Sequence, residues 1–355
     1  MKISHISCNN YNFNIFNKNS RPYTAREKNS CPYARSNVNN DCFVSFTSLK
    51  QTADNENLFI DTAFYRDFPT LTGFAGLLRD EFPDGTDIMD FACSNGEEAI
   101  SLYSLINDKN DVKYKIYCYD TSDKALDFAK NNIYSVNSES LDYFLINNGR
   151  NDKTVADLKR RFYTIMQEIE PPEFRLHDEA FLEYSKSFNV FNEKYFKVKD
   201  EYKHNFKFKK GDIRDILNIQ PDKQVGAIFF RNALYHLTNN HPFGNIYDRE
   251  TLDKIWFTNK EEVLQNFADN VYEKLLPGGF LVLGNDIKEH LYQADKFTPK
   301  DEIYFDASTK EYIRLKSPLV KALKKDGKFK PVLSSKCYSN EAGDFTVYTI
   351  WQKNK

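Results

Sequence analysis

The chain has 355 residues, 41% of them apolar, including 30 Phe and 22 Tyr, and a formal charge of −2; this supplies a large core and excludes a polycation that coats nucleic acid. The six cysteines (Cys8, Cys31, Cys42, Cys93, Cys118, Cys337) make no Cys-x-x-Cys pair and no zinc-spaced cluster, so neither a metal nor a disulfide framework is expected. No signal-peptide stretch opens the sequence and no apolar run reaches the ~18 residues of a membrane span, so a soluble, cytoplasmic protein is expected.

Residues 1–57 are rich in Asn, Ser and Lys, with no helical or strand period, and read as a disordered tail. Order is expected from Leu58. Phe64, Phe68, Leu71, Ala75, Leu78 and Phe82 then recur at three- and four-residue steps, which predicts a helix with Asp67 as its N-cap and Pro69 in its first turn. Asp87–Cys93 reads as a strand, and the segment from Ser94 as a turn and a helix. Tyr114–Asp120 reads as a second strand, and Asp123–Ile133 as its helix. This repeated strand and helix predicts a parallel sheet.

Residues 137–195 break the pattern and read as an insertion with one helical stretch (VADLKRRFYTIMQEI). Tyr195–Lys210 reads as an antiparallel flap leading into a sheet strand. The pattern resumes with a strand in QVGAIFFRNAL. A helix follows whose capping box is Thr258 and Glu261, then a strand in PGGFLVLG. A closing hairpin comes from Lys330–Tyr338 and Asp344–Gln352. The expected fold is therefore α/β and doubly wound, as one domain over 58–355 with an inserted subdomain at about 137–210 and a terminal antiparallel hairpin.

Three polar clusters fall where such a sheet binds ligands, beyond the carboxyl ends of its strands. Ala92–Glu98 (ACSNGEE) follows the first strand as a small-residue loop that lets backbone approach a ligand. With Gly96 as its one glycine, it is neither a dinucleotide fingerprint nor a P-loop, and an ordinary strand-to-helix turn has the same look. Asp120 ends the second strand, roughly 20 residues on, where an acidic group accepts both ribose hydroxyls of a nucleoside. Asp120 or Thr121 also suits a helix cap. Arg231 and Asn232 fall in the third cluster, FFRNAL, where Arg231 reads either as a site residue or as an ordinary ion-pair partner.

In this order the motifs resemble the catalytic domain of the CheR-type chemotaxis-receptor methyltransferases, a Rossmann-like class I fold. The matching stretches are Thr62-Ala63-Phe64-Tyr65-Arg66, Ser94-Asn95-Gly96-Glu97-Glu98, Tyr119-Asp120-Thr121-Ser122, Asp212-Ile213, Phe230-Arg231-Asn232 and Leu275-Leu276-Pro277-Gly278-Gly279. The likeness covers roughly residues 58–136 and 195–290. It implies S-adenosylmethionine as cofactor. Thr62 and Arg66 would lie at its methionine end, and Glu97 or Glu98 would face its ammonium or Arg66. Ala92, Ser94 and Gly96 would form the loop beneath it, and Asp120 with Thr121 would hold the ribose. Asp212 and Ile213 would flank the adenine, and Arg231 and Asn232 would line the transfer cleft.

The sequence departs from that family in three ways. The family's helical N-terminal domain has no counterpart in 1–57, the insertion is longer, and His236 stands where the family has a Tyr, with Tyr235 just before it. Either His236 or Tyr235 would take that role. The resemblance implies methylation of glutamate carboxylates on an acidic protein or peptide. A small molecule or RNA stays open as acceptor, as does a binding module without catalysis. Two lysine-rich runs, Lys197–Lys210 and Lys316–Lys330, read as steering surfaces for an acidic partner or as solvated faces.

Overall fold

A computed structural model describes residues 64–107, 111, 113–137, 152–172, 193–237, 260–284, 304–306, 311–313, 318–339 and 343–355. The tail at 1–57, Thr62, and the capping pair Thr258 and Glu261 lie outside the described residues at the level of side chains.

Helix α1 (Phe68–Glu81) buries Thr70, Leu71, Phe74, Ala75 and Leu78, the face predicted from spacing, with Pro69 in its first turn. Asp67 stands at the N-cap but does not cap. Its backbone is left-handed (φ 53) and its side chain accepts no capping bond. Instead Asp67 Oδ2 lies 3.5 Å from the Arg231 guanidinium. A buried cation is a stronger partner for a carboxylate than a helix N–H that water can also satisfy.

The chain then gives β1 (Thr86–Phe91), α2 (Glu97–Ile106), β2 (Tyr114–Asp120) and α3 (Asp123–Asn131). The cap of α3 is neither Asp120 nor Thr121 but Ser122, whose hydroxyl accepts from Ala125 N at 3.2 Å. Asn132, left-handed at φ 54, ends α3 two residues before the predicted limit and sends the chain into β3 (Ile133–Asn137), a strand the sequence pattern does not show. The insertion contains α4 (Asp152–Ile165), β4 (Met166–Ile169), β5 (Glu193–Val198) and a short α5 (Asp200–Lys203). Strands β3, β5 and β4 make a small antiparallel sheet in that order.

The predicted flap therefore divides: β5 stays with the insertion, whereas β6 (Phe206–Lys210) joins the main sheet parallel to β2. A 3-10 turn (Ile213–Asp215) leads to β7 (Val225–Phe230), α6 (Leu234–Leu237), α7 (Lys260–Lys274) and β8 (Leu275–Leu283). The paired strands β9 (Tyr304–Asp306) and β10 (Glu311–Ile313), helix α8 (Pro318–Lys324) and the hairpin β11 (Phe329–Ser339) and β12 (Gly343–Lys353) complete the described chain.

The main sheet runs β11-β12-β8-β7-β1-β2-β6. Strands β6, β2, β1, β7 and β8 are parallel, and β12 closes on β8 antiparallel. The order steps outward from β1 through β2 to β6, then restarts on the other side of β1 with β7. That reversal is a topological switch point, and the crevice beyond the carboxyl ends of β1 and β7 is where open α/β sheets bind ligands.

Each face of the sheet carries its own core, as expected for strands buried on both sides. Ile88, Phe229 and Phe280 point to one face with α1, α2 and α4, while Met89, Ile228 and Leu281 point to the other with α7 and α8. The fold is thus doubly wound α/β with a terminal antiparallel hairpin and a smaller inserted sheet. Phe229 is fully buried and meets Phe74 of α1 edge-on at 4.7 Å. Phe229→Ala should lower the unfolding free energy by roughly 3–5 kcal/mol in denaturant titration; a loss under about 1 kcal/mol would contradict this packing.

Candidate active site

The loop from Ala92 to Gly96 crosses the switch point in an unusual backbone state. Ala92 (φ 56), Ser94 (φ 52) and Gly96 (φ 93) are all left-handed, at alternate positions. Only glycine adopts that region freely, so Ala92 and Ser94 hold strain. A side chain at Gly96 would also fall 2.7 Å from the Phe208 ring.

Five hydrogen bonds hold the loop in place. Cys93 N donates to Tyr119 O (3.1 Å) and Gly96 N to Cys93 O (2.9 Å). Ser94 N donates to Asp120 Oδ2 at 2.8 Å. Glu97 N donates to Asn95 Oδ1 at 3.4 Å, and the Tyr134 hydroxyl donates to Asn95 O at 2.9 Å.

Asp120 sits at the carboxyl end of β2, where the sequence placed it, and its second oxygen accepts from Ser122 N at 2.8 Å. Burial raises its pKa, while the N–H groups of Ser122, Ser94 and Thr121 pull it back. Ser94 N on one oxygen and Ser122 N on the other fix the carboxylate plane.

Glu97 and Glu98, which spacing alone did not separate, part company. Glu97 is buried on the side of Tyr134, whose phenol it helps to raise after burial itself. Glu98 accepts from Arg231 Nη1 at 2.7 Å. Arg231 also donates Nη2 to the Arg66 carbonyl at 2.8 Å, and its side chain has no exposed surface. The expectation that Arg231 lines the cleft is therefore corrected: its guanidinium is turned inward and engaged by the chain. Asn232 is left-handed (φ 55) and lies against Gly284, where an added Cβ would sit 2.0 Å from its Oδ1.

Past β6, Gly211 N donates to Asp120 O at 3.0 Å, which brings Asp212 and Ile213 to the same edge. The Asp212 carboxylate accepts from Arg214 N at 2.9 Å and from the Arg214 guanidinium, and Ile213 is buried. Tyr235 and His236 are in α6 just beyond Asn232; their side chains, like Thr62, lie outside the described residues.

Sequence reasoning missed Asp90. It lies in β1 two residues before the loop and is only 1% exposed, and neither carboxyl oxygen has a hydrogen-bond partner among the described residues. Burial first, then Glu98, raises its pKa well above the carboxylate range, with Arg231 opposing. The available signal was an acid in an otherwise apolar central strand, a position where charge is almost never buried alone. Burial also raises Glu98, against the pull of Arg231 and Arg66.

No protein-family model matches the sequence, and no curated protein does. Among solved structures, the chain is similar to TrmN from Thermus thermophilus (13% identity, TM-score 0.35), covering 81% of this chain but only 52% of TrmN, about half that protein's length. It is also similar to the N-methyltransferase NodS from Bradyrhizobium japonicum WM9 in complex with S-adenosyl-L-homocysteine (12% identity, TM-score 0.34, 85% of this chain and 94% of NodS). A third is a putative rRNA methylase from Clostridium thermocellum (12% identity, TM-score 0.31, 78% and 96%). Likeness of this degree carries no reading of activity.

The raised pKa of Asp90 sets a pH dependence. An unfolded Asp loses its proton near pH ~3.9, whereas the folded chain favours the protonated form. Stability from this group is full below that pH and is lost as pH rises towards the folded pKa. Asp90→Asn, which fixes the neutral state, should be more stable than the parent at pH 7, by on the order of 1 kcal/mol. The gain should vanish below about pH 4. Denaturant titrations across pH 3–8 measure it; a variant less stable at pH 7 would show that Asp90 is ionised in the fold.

Proposed function

We propose that the chain is an S-adenosylmethionine-dependent methyltransferase, and within that class a CheR-type enzyme that methylates glutamate carboxylates of an acidic protein or peptide. The observation that carries the reading is Asp120, which ends β2, one strand from the switch point, with its plane fixed by Ser94 N and Ser122 N. An acid held there, beside a tight loop, suits the vicinal hydroxyls of a ribose.

The donor set fits a sulfonium nucleoside. It has an acid for the sugar, a tight backbone loop, and carboxyl groups of Asp90 and Glu98 around the site, of which Asp90 has both oxygens unpartnered among the described residues. Asp120 would hold the ribose, Asp212 and Ile213 the adenine, and Glu98 with Arg66 the amino-acid end. S-adenosylmethionine, when bound, supplies an electrophilic methyl group.

The chain's own part is to align the acceptor, exclude water and stabilise charge. A glutamate acceptor with a reference pKa of about 4.3 is ionised at neutral pH and needs no base. An amine acceptor would need one, and His236 in α6 is the nearby candidate by sequence. The enclosure of Arg231 favours a second reading. With this guanidinium committed to Glu98 it is not on offer to an acceptor's carboxylate, and a small molecule or RNA is the alternative acceptor.

Two measurements test the proposal. Calorimetry with S-adenosylmethionine and its demethylated product should show binding that Asp120→Ala weakens by roughly 10–100-fold, the worth of hydrogen bonds to a charged group; equal affinity would remove Asp120 from the site. Labelled cofactor incubated with native lysate should yield label released by base as methanol. Base-stable label would end the glutamate reading, and label in RNA would support the second one.

A further inference from the structure

Strand β6 ends with Lys210 paired to Asp120 of β2, and Gly211 N then donates to Asp120 O at 3.0 Å. The next residue, Asp212, opens the 3-10 turn beside the ribose acid. Ile213 is buried behind it, and the Asp212 carboxylate caps the turn by accepting from Arg214 N at 2.9 Å.

The Arg214 guanidinium folds back onto the same carboxylate. Its Nε donates to Oδ1 and to Oδ2, each at 3.0 Å, and its Nη2 donates to Oδ2. An ionised carboxylate has about four lone-pair sites. The backbone and side-chain contacts of Arg214 place two donors on each oxygen and so occupy them. A neutral amino group enters only when a guanidinium contact leaves.

That contact is able to leave. The Arg214 side chain is 55% exposed, and an exposed ion pair is weak and screened by salt. Asp215, in the same turn, also acts on Arg214, so the released cation has a second carboxylate to face.

We propose that Arg214 is a specificity-determining residue of the nucleoside site: it occupies the carboxylate that would accept the exocyclic amino group of adenine, and the base is read only when this fork opens. On the methyltransferase reading, which this inference needs, Asp212 meets the base. Adenine donates at that position, which suits a bare carboxylate. Hypoxanthine has a carbonyl there, which accepts and suits a guanidinium, a group that only donates. Arg214 therefore lowers affinity for the adenine cofactor and narrows the preference for adenine over hypoxanthine. Salt loosens the fork and restores part of the adenine affinity.

The test is calorimetry of the full chain with S-adenosylhomocysteine, and with the same compound carrying hypoxanthine in place of adenine, at low and at high sodium chloride. Arg214→Met keeps a long side chain at an exposed position and removes every donor from it. It should bind the adenine compound about threefold to tenfold more tightly than the parent, the worth of a hydrogen bond to a charged group, and bind the hypoxanthine compound no better. Salt should raise the parent's adenine affinity relative to that of Arg214→Met. Asp212→Ala added to Arg214→Met should cancel the gain. If Arg214→Met binds the adenine compound no more tightly, or tightens both compounds alike, the proposal is overturned. The methyltransferase reading is judged apart from it. Parent binding that Asp120→Ala weakens and Arg214→Met fails to tighten keeps that reading and removes this inference, whereas a parent that binds neither compound ends both.

Discussion

One buried guanidinium holds the site's three walls in register. Arg231 leaves the end of β7 and reaches Glu98 in the first turn of α2, the carbonyl of Arg66 ahead of α1, and Asp67 at 3.5 Å. A cation taken wholly out of water is tolerated only when geometry and hydrogen bonding repay its lost hydration. Here that demand fixes where β7, α2 and the start of α1 stand relative to one another. It also explains the left-handed backbone at Tyr65 and Asp67, which turns the Arg66 carbonyl and the Asp67 carboxylate towards one guanidinium.

Charge counting around Arg231 determines the state of the strand beneath it. Glu98 and Asp67 already face the Arg231 guanidinium, with Arg66 a second cation acting on Glu98. A further charge on Asp90, buried and without hydrogen bonds among the described residues, meets burial and Glu98 against the single pull of Arg231, and its pKa is raised well above the usual carboxylate value. Asp120, at the end of the neighbouring strand and facing the edge, is stabilised as an anion by backbone N–H groups that Asp90 lacks. Burial raises both aspartates on these adjacent parallel strands, but backbone N–H groups pull Asp120 back whereas Asp90 has none among the described residues.

The sequence reveals what is periodic or local and conceals what depends on long-range charge. The face of α1, the strands β1, β2, β7 and β8 and the closing hairpin were legible, because alternation and helical spacing report burial directly. So was Asp120, whose place follows from being the acid that ends an apolar strand. Asp67 looked like a cap because its type and position suit one; its real partner is 164 residues away in the chain (231 − 67). Arg231 looked like a cleft residue for the same reason. Strand β3 was hidden because five residues after a helix carry too little pattern, and its pairing partner, β5, lies beyond a long insertion.

The insertion, which interrupts the parallel pattern, is itself part of how the loop is held. From β3 the Tyr134 hydroxyl bonds to Asn95 O, and the Tyr134 ring meets Phe64 at 5.4 Å. Phe64 meets Phe162 of α4 at 5.5 Å, and Phe162 meets Phe196 of β5 at 5.2 Å. Beside them, Tyr65 lies against α2, its N–H donating to Ser101 Oγ and its hydroxyl sharing a bond with Ser104 Oγ. An interior packed this densely does not let one member move alone. The strained loop at Ala92–Gly96 therefore needs the small sheet behind it, and a chain stripped of the insertion would leave β3, which carries Tyr134, without its partner β5 and would lose the Phe162 and Phe196 wall that backs two non-glycine residues in a glycine's conformation.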